Sequence, residues 1–511
     1  MNKSIRLTAL FSLLLTLVLM VNLTYVQAFT TDKYAHNDLN KRQYFAMRSI
    51  PRGQISAGGQ VLARSVQDEE GFYHREYVAD PLLYGPVEGY LSDVYGAAGL
   101  ESGYNSVLDG TDAGLFTSHW LDQATGKHPA GGNVELTLIP AVQKTAFEQL
   151  SSRGYEGAVV ALRPSTGEIL AMASTPSYSP AAIVNPDTSE AAWQELVNDP
   201  GNPLLNHATQ ETLPPGSTFK VVTTAAGLRN GYNQGSPLTA AEEITLPGTT
   251  TTLENYGGMH CGQGDTATLL TAFTLSCNTA FVQMGIDVGQ KALDQAAKDF
   301  GVGDSYDLGI PYQAGTVGDI KDDAARGQSA IGQRDVAMTV LQNAVIAATV
   351  ANQGKRMNPY VVSQVTGDNL EPLRTTEPRE LNEALKPEIA QQLTELMRSA
   401  ERSTAGYAGQ DIASKTGTAE HGEDSRNSNP HAWYIAFGPS ENADVAVAVV
   451  VKNGGDRGQA ATGGSVAAPI GRAVIAAAQQ ALGQRGAKPG EPMSKQPAPE
   501  STPAADRRNR G

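Results

Sequence analysis

Two prolines and a glycine, Pro214-Pro215-Gly216, stop whatever precedes them, and the run that follows puts a lysine where an apolar helix begins. Residues 221–228 read as a helix with Val221, Val222, Ala225, Ala226 and Leu228 free to face a core. Ser217 then falls in the first turn and Lys220 one turn later, and positions three apart share a helix face. The pairing has a chemical logic. A serine hydroxyl is a poor nucleophile until a base takes its proton. A lysine in a desolvated pocket is neutral enough to be that base. The helix N-terminus adds partial positive charge where an oxyanion would form. The alternative is a chance Ser-x-x-Lys on a solvated helix.

Two companion motifs weigh against chance. Ser276-x-Asn278 and Lys415-Thr416-Gly417 follow in order. Ser217-Thr218-Phe219-Lys220 is the only Ser-x-x-Lys in the chain, and Lys-Thr-Gly also occurs once. Ser-x-Asn is weak alone, because Ser425-Arg426-Asn427 and Ser440-Glu441-Asn442 match it too, but both lie after Lys415 and the order excludes them. The three in sequence are the pattern of a serine acyl transferase.

The N-terminus sets the compartment. Lys3 and Arg6 precede an apolar run from residue 7 to residue 26, long enough to cross a bilayer as a helix of about 20 residues. Positive residues ahead of such a helix keep the N-terminus cytoplasmic. Val26-Gln27-Ala28 resembles a signal-peptide cleavage site, yet the run exceeds the usual apolar region of about 7–15 residues. An uncleaved anchor with the rest of the chain exported is the expectation. With 511 residues and a net charge of −15, the exported part has room for two or more domains and no basic surface for nucleic acid. No His/Cys cluster has zinc spacing, so neither a metal site nor a cofactor is expected.

Along the chain, residues 1–6 are predicted cytoplasmic and 7–28 transmembrane. Residues 29–132 form a non-catalytic, membrane-proximal pedestal, 133–482 the catalytic domain and 483–511 a disordered Pro-, Lys-, Ser- and Arg-rich tail. In the pedestal, residues 52–63 read as two strands around Gly58-Gly59. Strands are predicted over 134–138, 157–162, 168–174, 412–419, 433–437 and 445–451, the last three as an antiparallel meander. Helices are predicted over 140–150, 269–285, 291–300, 387–400 and 467–482, with a helix pair over 329–352 that starts through Gly332. The fold class is α+β, an antiparallel sheet flanked by helices.

The chain resembles the class B penicillin-binding proteins, membrane-anchored peptidoglycan D,D-transpeptidases, and among them the actinobacterial penicillin-binding protein A type. Beyond the three motifs, the stretch from Gly157 to Gly167 is similar to the family's opening hairpin, and Arg52-Gly53-Gln54-Ile55 to its pedestal motif. Residues 328–352 and 431–437 resemble its Ile-Gly-Gln helix and second meander strand. The resemblance implies a penicilloyl serine transferase fold, in which Ser217 attacks the penultimate D-Ala carbonyl of a D-Ala-D-Ala stem peptide and Lys220 is its base. The N–H groups of Ser217 and Thr418 form the oxyanion hole. Ser276 relays a proton to the leaving amine, with Lys415 keeping that path electropositive, and Asn278 holds the substrate amide. Thr416 and Thr418 bind the donor carboxylate, and Gly417 leaves room for the substrate backbone. The partners implied are peptidoglycan or lipid-linked stem peptides, β-lactam antibiotics, the cytoplasmic membrane and a membrane glycosyltransferase of the cell-wall machinery.

Rival readings use the same triplet. A D,D-carboxypeptidase remains open, while a serine β-lactamase lacks its deacylating glutamate here, since Pro378 stands where the acid belongs between Glu377 and Asn382. A non-catalytic β-lactam sensor would need a cytoplasmic output module, where only residues 1–6 are predicted cytoplasmic, and a cell-wall scaffold would not need all three motifs. His421 reads as structural or solvated. The only two cysteines, Cys261 and Cys277, lie in an exported segment where a disulfide is permitted. If Ser276 and Asn278 face the pocket, Cys277 points away, and a bond to Cys261 would tie the Gly257-Gly258 loop behind Ser276. A loop of about 15 residues so closed is stabilised by about 3 kcal/mol in the chain-entropy model. Two unpaired buried thiols are the alternative.

Overall fold

A computed structural model describes residues 2–29, 48–115, 130–421 and 428–486. The helix α1 (Asn2–Phe29) includes one span, Lys3–Val26, long and apolar enough to cross a membrane. Its threonine hydroxyls do not compete for outside partners: Thr8, Thr16 and Thr24 each donate to the carbonyl four residues back.

The pedestal opens with strands β1 (Ile55–Ala57), β2 (Gln60–Gln67) and β3 (Tyr73–Tyr77). Gly58 and Gly59 both have positive φ, which a two-residue hairpin between right-twisted strands requires. Next come β4 (Asn133–Leu136), helix α2 (Pro140–Ser151), and the hairpin β5 (Gly157–Leu162) and β6 (Ile169–Thr175). Helices α3 (Lys220–Arg229), α4 (Leu269–Leu275), α5 (Asn278–Val288) and α6 (Val340–Ala351) build the helical part. Strands β7 (Val362–Thr366) and β8 (Pro372–Thr375) precede α7 (Pro387–Ser403). The chain closes with β9 (Ala413–Ala419), β10 (His431–Gly438), β11 (Val445–Val451) and α8 (Ala468–Gly486).

Two large sheets result. The catalytic sheet runs β9-β10-β11-β5-β6, antiparallel throughout. Every residue of β5, β6, β10 and β11 is buried, because helices cover both faces. Alternation along β11 sorts its side chains into two cores: Val445, Val447, Val449 and Val451 pack with α2 and α8, and Ala446, Ala448 and Val450 pack with α6 and the helical part. The second sheet runs β8-β7-β4-β1-β2-β3. It does not respect a division at residue 132, since β4, β7 and β8 come from beyond it and β4 pairs parallel with β1. The pedestal is therefore stitched to the catalytic part by three strands.

Three sequence expectations change. The helix predicted over 269–285 is two helices broken at Ser276, which adopts a left-handed conformation at φ 60°. The pair predicted over 329–352 is the helix Asp323–Ala330 followed by an irregular turn before α6, because Gly332 at φ 70° is diverted to pack on Gly216. The closing helix continues through the expected break at residue 483 to Gly486; the tail beyond it, and Ser425-Arg426-Asn427, lie outside the described residues.

Behind β9, a buried ion pair keys four elements together. Glu401 of α7 is fully buried and accepts from Arg472 of α8 at 2.7 Å. It also accepts from Ser414 of β9 and from Tyr434 of β10. Removing one partner of such a pair strands a charge in a low dielectric, at a cost of about 3–5 kcal/mol. Glu401→Ala is expected to lose stability on that scale in chemical denaturation of the part that follows α1, and adding Arg472→Met should recover some of it. Equal loss in the single and double variants would mean that packing, not charge pairing, holds the corner.

Candidate active site

The Ser217 turn is built by close backbone approach. Residues Gly216–Phe219 form a tight 3-10 turn that leads straight into α3, all of whose residues from Lys220 to Leu228 are buried. The Gly216 N–H donates to the Gly332 carbonyl at 2.9 Å, and a Cβ on Gly332 would stand 2.2 Å from the Gly216 carbonyl oxygen. Pro214 accepts from the Trp433 indole at 2.9 Å. Leu213 and Met338 exchange two backbone bonds, of 3.0 and 2.9 Å. Thr218 is fully buried and hydrogen-bonded to Asn343 of α6 at 3.0 Å. Ser217 itself is left half-exposed.

Around it the three motifs converge on one oxygen. Lys220 Nζ donates to the Ser276 carbonyl at 2.7 Å and to Asn278 Oδ1 at 2.8 Å, with Ser276 Oγ at 3.3 Å. Lys415 Nζ reaches the same Ser276 Oγ at 2.8 Å and the Thr416 carbonyl at 2.9 Å. Ser276 Oγ thus lies between two lysines. The break between α4 and α5 makes this possible: the left-handed turn at Ser276 points its carbonyl and hydroxyl at Lys220, while Cys277 turns away, 4% exposed, into a disulfide with Cys261 whose Cα atoms are 5.8 Å apart.

Both ammonium groups are in an unfavourable place. Burial, and then the positive charge of Lys415, hold Lys220 well below the ordinary lysine value. Burial alone brings Lys415 down to about 7. Among the described residues no carboxylate is a hydrogen-bond partner of either; every acceptor is a hydroxyl, an amide or a carbonyl. Lys220 is therefore set up to be neutral and to accept a proton. Ser217 Oγ makes no hydrogen bond to Lys220 among the described residues, and catalytic contacts of this kind tighten on substrate binding.

Residues 157–476 match the family model described as the penicillin binding protein transpeptidase domain. Residues 52–134 match that of the penicillin binding protein A dimerisation domain. This chain belongs to the penicillin-binding protein transpeptidases. Peptidoglycan D,D-transpeptidase PbpA of Mycolicibacterium smegmatis is 48% identical over 488 residues, covering 94% of this chain and 99% of that one. Its namesake in Mycobacterium tuberculosis is 47% identical over 490 residues, with the same coverage of 94% and 99%. Among solved structures, the ceftriaxone acyl-enzyme of penicillin-binding protein A from M. tuberculosis superposes with a TM-score of 0.82 at 48% identity, over 85% of this chain and 99% of that one. The penicillin G acyl-enzyme of the same protein gives 0.82 at 49%, over 84% and 100%.

In this penicillin-binding protein Gly417 has a reason other than clearance for the substrate. A Cβ there would stand 2.8 Å from the Pro215 carbonyl oxygen and 3.1 Å from Thr218 Cγ2, so it would push β9 off the Ser217 turn. From the other side Gly463, in the turn before α8, abuts the same strand: its Cβ would lie 2.1 Å from the Trp433 carbonyl oxygen and 2.6 Å from that of Gly417. Gly463 N–H also faces Thr418 Oγ1 at 3.4 Å. Thr416 and Thr418 are half-buried and flank Gly417 on β9, directly after Lys415. Gly463 and Glu401 carry no motif, and sequence reasoning did not find them; the paired glycines at 463–464 just before an apolar helix are the only hint. Gly332 was singled out only as a helix entry, not for its contact with Gly216. His421 stacks on His431 with ring centroids 3.9 Å apart and bonds to the Asn429 carbonyl, a structural role. Glu377 and Glu380 are exposed, and Asn382 is spent on Arg356 and the Asp299 carbonyl.

Packing against fixed backbone cannot be relieved by a rotamer change. Gly463→Ala is expected to cost about 1–3 kcal/mol or more through overpacking. The neighbouring Gly464→Ala should be mild, because its Cβ would come no nearer than 3.3 Å to any atom, the methyl Cγ2 of Thr404, and would meet Ala405 at 3.6 Å and beyond. Thermal unfolding of the two variants checks the contrast, and equal melting temperatures would remove the steric account of β9.

Proposed function

We propose that Ser217 is the nucleophile through which this chain works as a peptidoglycan D,D-transpeptidase, the activity for which its relatives are named. The chain is a serine acyltransferase of cell-wall synthesis and a target of β-lactams. The observation that carries the assignment of roles is the shared contact of Lys220 and Lys415 on Ser276 Oγ beside the Ser217 turn.

Neutral Lys220 takes the Ser217 proton as Oγ bonds to the penultimate D-Ala carbonyl carbon. The N–H groups of Ser217 and Thr418 hold the oxyanion, where loss of one donor typically costs about 2.7–4 kcal/mol. The proton passes from Lys220 through Ser276 Oγ to the leaving nitrogen, the C–N bond breaks, and the terminal D-Ala departs. Lys415 raises the acidity of Ser276 by its charge. Asn278 orients Lys220 and offers its remaining amide proton to the donor backbone. Thr416 and Thr418 receive the donor carboxylate. An amine from a second stem then attacks the acyl carbon, restoring Ser217 and leaving a crosslink.

The finer topology belongs to the same reading. With Lys3 and Arg6 ahead of the apolar span, the N-terminus stays cytoplasmic and the catalytic part faces outward at the membrane surface. A glycosyltransferase in the same membrane would supply the strands to be crosslinked.

Ser217→Ala is expected to abolish the covalent penicillin adduct, followed by intact-mass spectrometry, while melting stays within a few degrees of wild type; a stoichiometric adduct in that variant would sink the assignment. The pH dependence has a definite sign. Acylation needs neutral Lys220, so its rate should rise with pH along a limb well below 10.5. Lys415→Ala removes a neighbouring positive charge, lets Lys220 keep its proton longer, and should move that limb to higher pH. A limb that stays put, or moves down, would refute the coupling.

A further inference from the structure

Outside α1, nine large hydrophobic side chains are exposed among the described residues, and three of them flank the Ser276-Cys277-Asn278 segment. They are Tyr256 at 57%, Met259 at 61% and Leu275 at 49%. Tyr256 and Met259 sit on either side of Gly257 and Gly258, both of positive φ, at the tip of a loop.

That loop is pinned to the active site at both ends. Asn278, whose Oδ1 holds Lys220, gives a proton of Nδ2 to the Glu254 carbonyl at 3.1 Å. Asn255 is 4% exposed; its Oδ1 accepts from the Thr279 N–H at 3.1 Å, and its Nδ2 donates to the Met259 carbonyl at 2.9 Å and the Ala241 carbonyl at 3.0 Å. At the far end Cys261, 1% exposed, is bonded to Cys277 and donates its N–H to the Ala240 carbonyl at 3.0 Å. The anchors Asn255 and Cys261 are buried, while Tyr256 and Met259 stand in water on the exposed tip, with the polar Glu254 and His260 beside them. Folding gains nothing from holding a tyrosine and a methionine in water on a fixed loop, since each forgoes the stabilisation that burial of its apolar surface would give. A rigid apolar surface beside a catalytic asparagine is instead what a ligand side chain needs, because little ordering entropy is lost when it binds.

We propose that Tyr256 and Met259 form the wall that receives the side chain of the stem residue immediately preceding D-Ala-D-Ala in the donor. The inference rests on the transpeptidase reading, and the direction follows from it. The donor carboxylate lies at Thr416 and Thr418 on β9, and the donor amide is held by Asn278. The stem therefore runs from β9 across the cleft to Asn278, and its next residue emerges over the loop that Asn278 holds through Glu254. A flexible thioether beside an aromatic ring suits a long aliphatic side chain rather than a compact polar one.

The test compares acetyl-norleucyl-D-Ala-D-Ala with acetyl-glycyl-D-Ala-D-Ala as protectants of Ser217 against a fluorescent penicillin. The readout is the donor concentration that halves each protein's own labelling rate, so slow turnover does not matter. Burial of part of a four-carbon side chain predicts that the norleucyl donor protects wild type roughly tenfold better than the glycyl donor. In the Tyr256→Ala/Met259→Ala double variant the two donors should protect equally, and Tyr256→Phe should keep most of the preference. No preference in wild type, or one that survives in the double variant, overturns the wall. Absence of penicillin labelling at Ser217 in wild type would instead overturn the transpeptidase reading on which it rests.

Discussion

Two lysines buried around one hydroxyl set the terms for the rest of the molecule. Lys220 and Lys415 are 0% and 1% exposed, and the oxygens that receive them are all uncharged. An ammonium so placed has given up its hydration without gaining an anion, and the usual response is to lose the proton. Ring faces soften this only in part: Lys220 lies over Phe281 at 5.4 Å and Lys415 over Phe273 at 5.8 Å. The contrast with the corner behind β9 is instructive. There Arg472 meets Glu401 directly, the charges balance, and the result is a rigid joint. In front of β9 the balance is missing, and Lys220 is held well below the ordinary lysine value.

An unbalanced pair stays in place only if the surrounding backbone leaves it no alternative, and here that is the work of close contacts between main chains. Gly332 admits Gly216, and Gly417 is pressed between the Pro215 carbonyl and Gly463. Helix α7 touches both walls of the site. Its Glu401 holds Ser414, the neighbour of Lys415, and its Ser399 meets Thr274 at 2.7 Å, two residues before Ser276. The distance between Lys415 and Ser276 is thus set by one helix that carries neither residue.

The chemistry was more legible in the sequence than the geometry that enforces it. Serine, lysine and asparagine at fixed spacings are demanded by the reaction, so they can be read from a string of letters. Strands β5, β6, β10 and β11 were legible because turn residues bracket runs of Val and Ala. The break at Ser276 was not, since the apolar pattern continues from Leu269 through Phe281 and a single left-handed residue leaves no mark on it. Gly332 misled in the same way: it reads as a helix start, whereas its lack of a Cβ is used to let another segment approach. The pedestal sheet was hidden for a third reason. Its strands β4, β7 and β8 are drawn from beyond the apparent boundary, and such long-range pairing has no local signature. Gly417 was found for its motif, but its reason lay in Pro215, some two hundred positions away.

The missing anion gives the proposed reaction a natural order. A donor stem ends in a carboxylate, and Thr416 and Thr418 would bring it beside Lys415. An anion there favours the ammonium form, so Lys415, which burial brings down to about 7, gains a proton or holds the one it has as the donor binds. A charged Lys415 in turn disfavours charge on Lys220, which already feels it as the second cause of its depressed value. In the proposed reaction, binding the substrate at one end of the cleft would thereby ready the base at the other, through a single serine hydroxyl that touches both lysines. A ligand without the carboxylate would fill the cleft and leave Lys415 closer to neutral, and it would forgo this priming as well as the direct contact. Recognition of the carboxylate would then appear in the rate of acylation and not in affinity alone, as expected when binding energy is realised in the transition state.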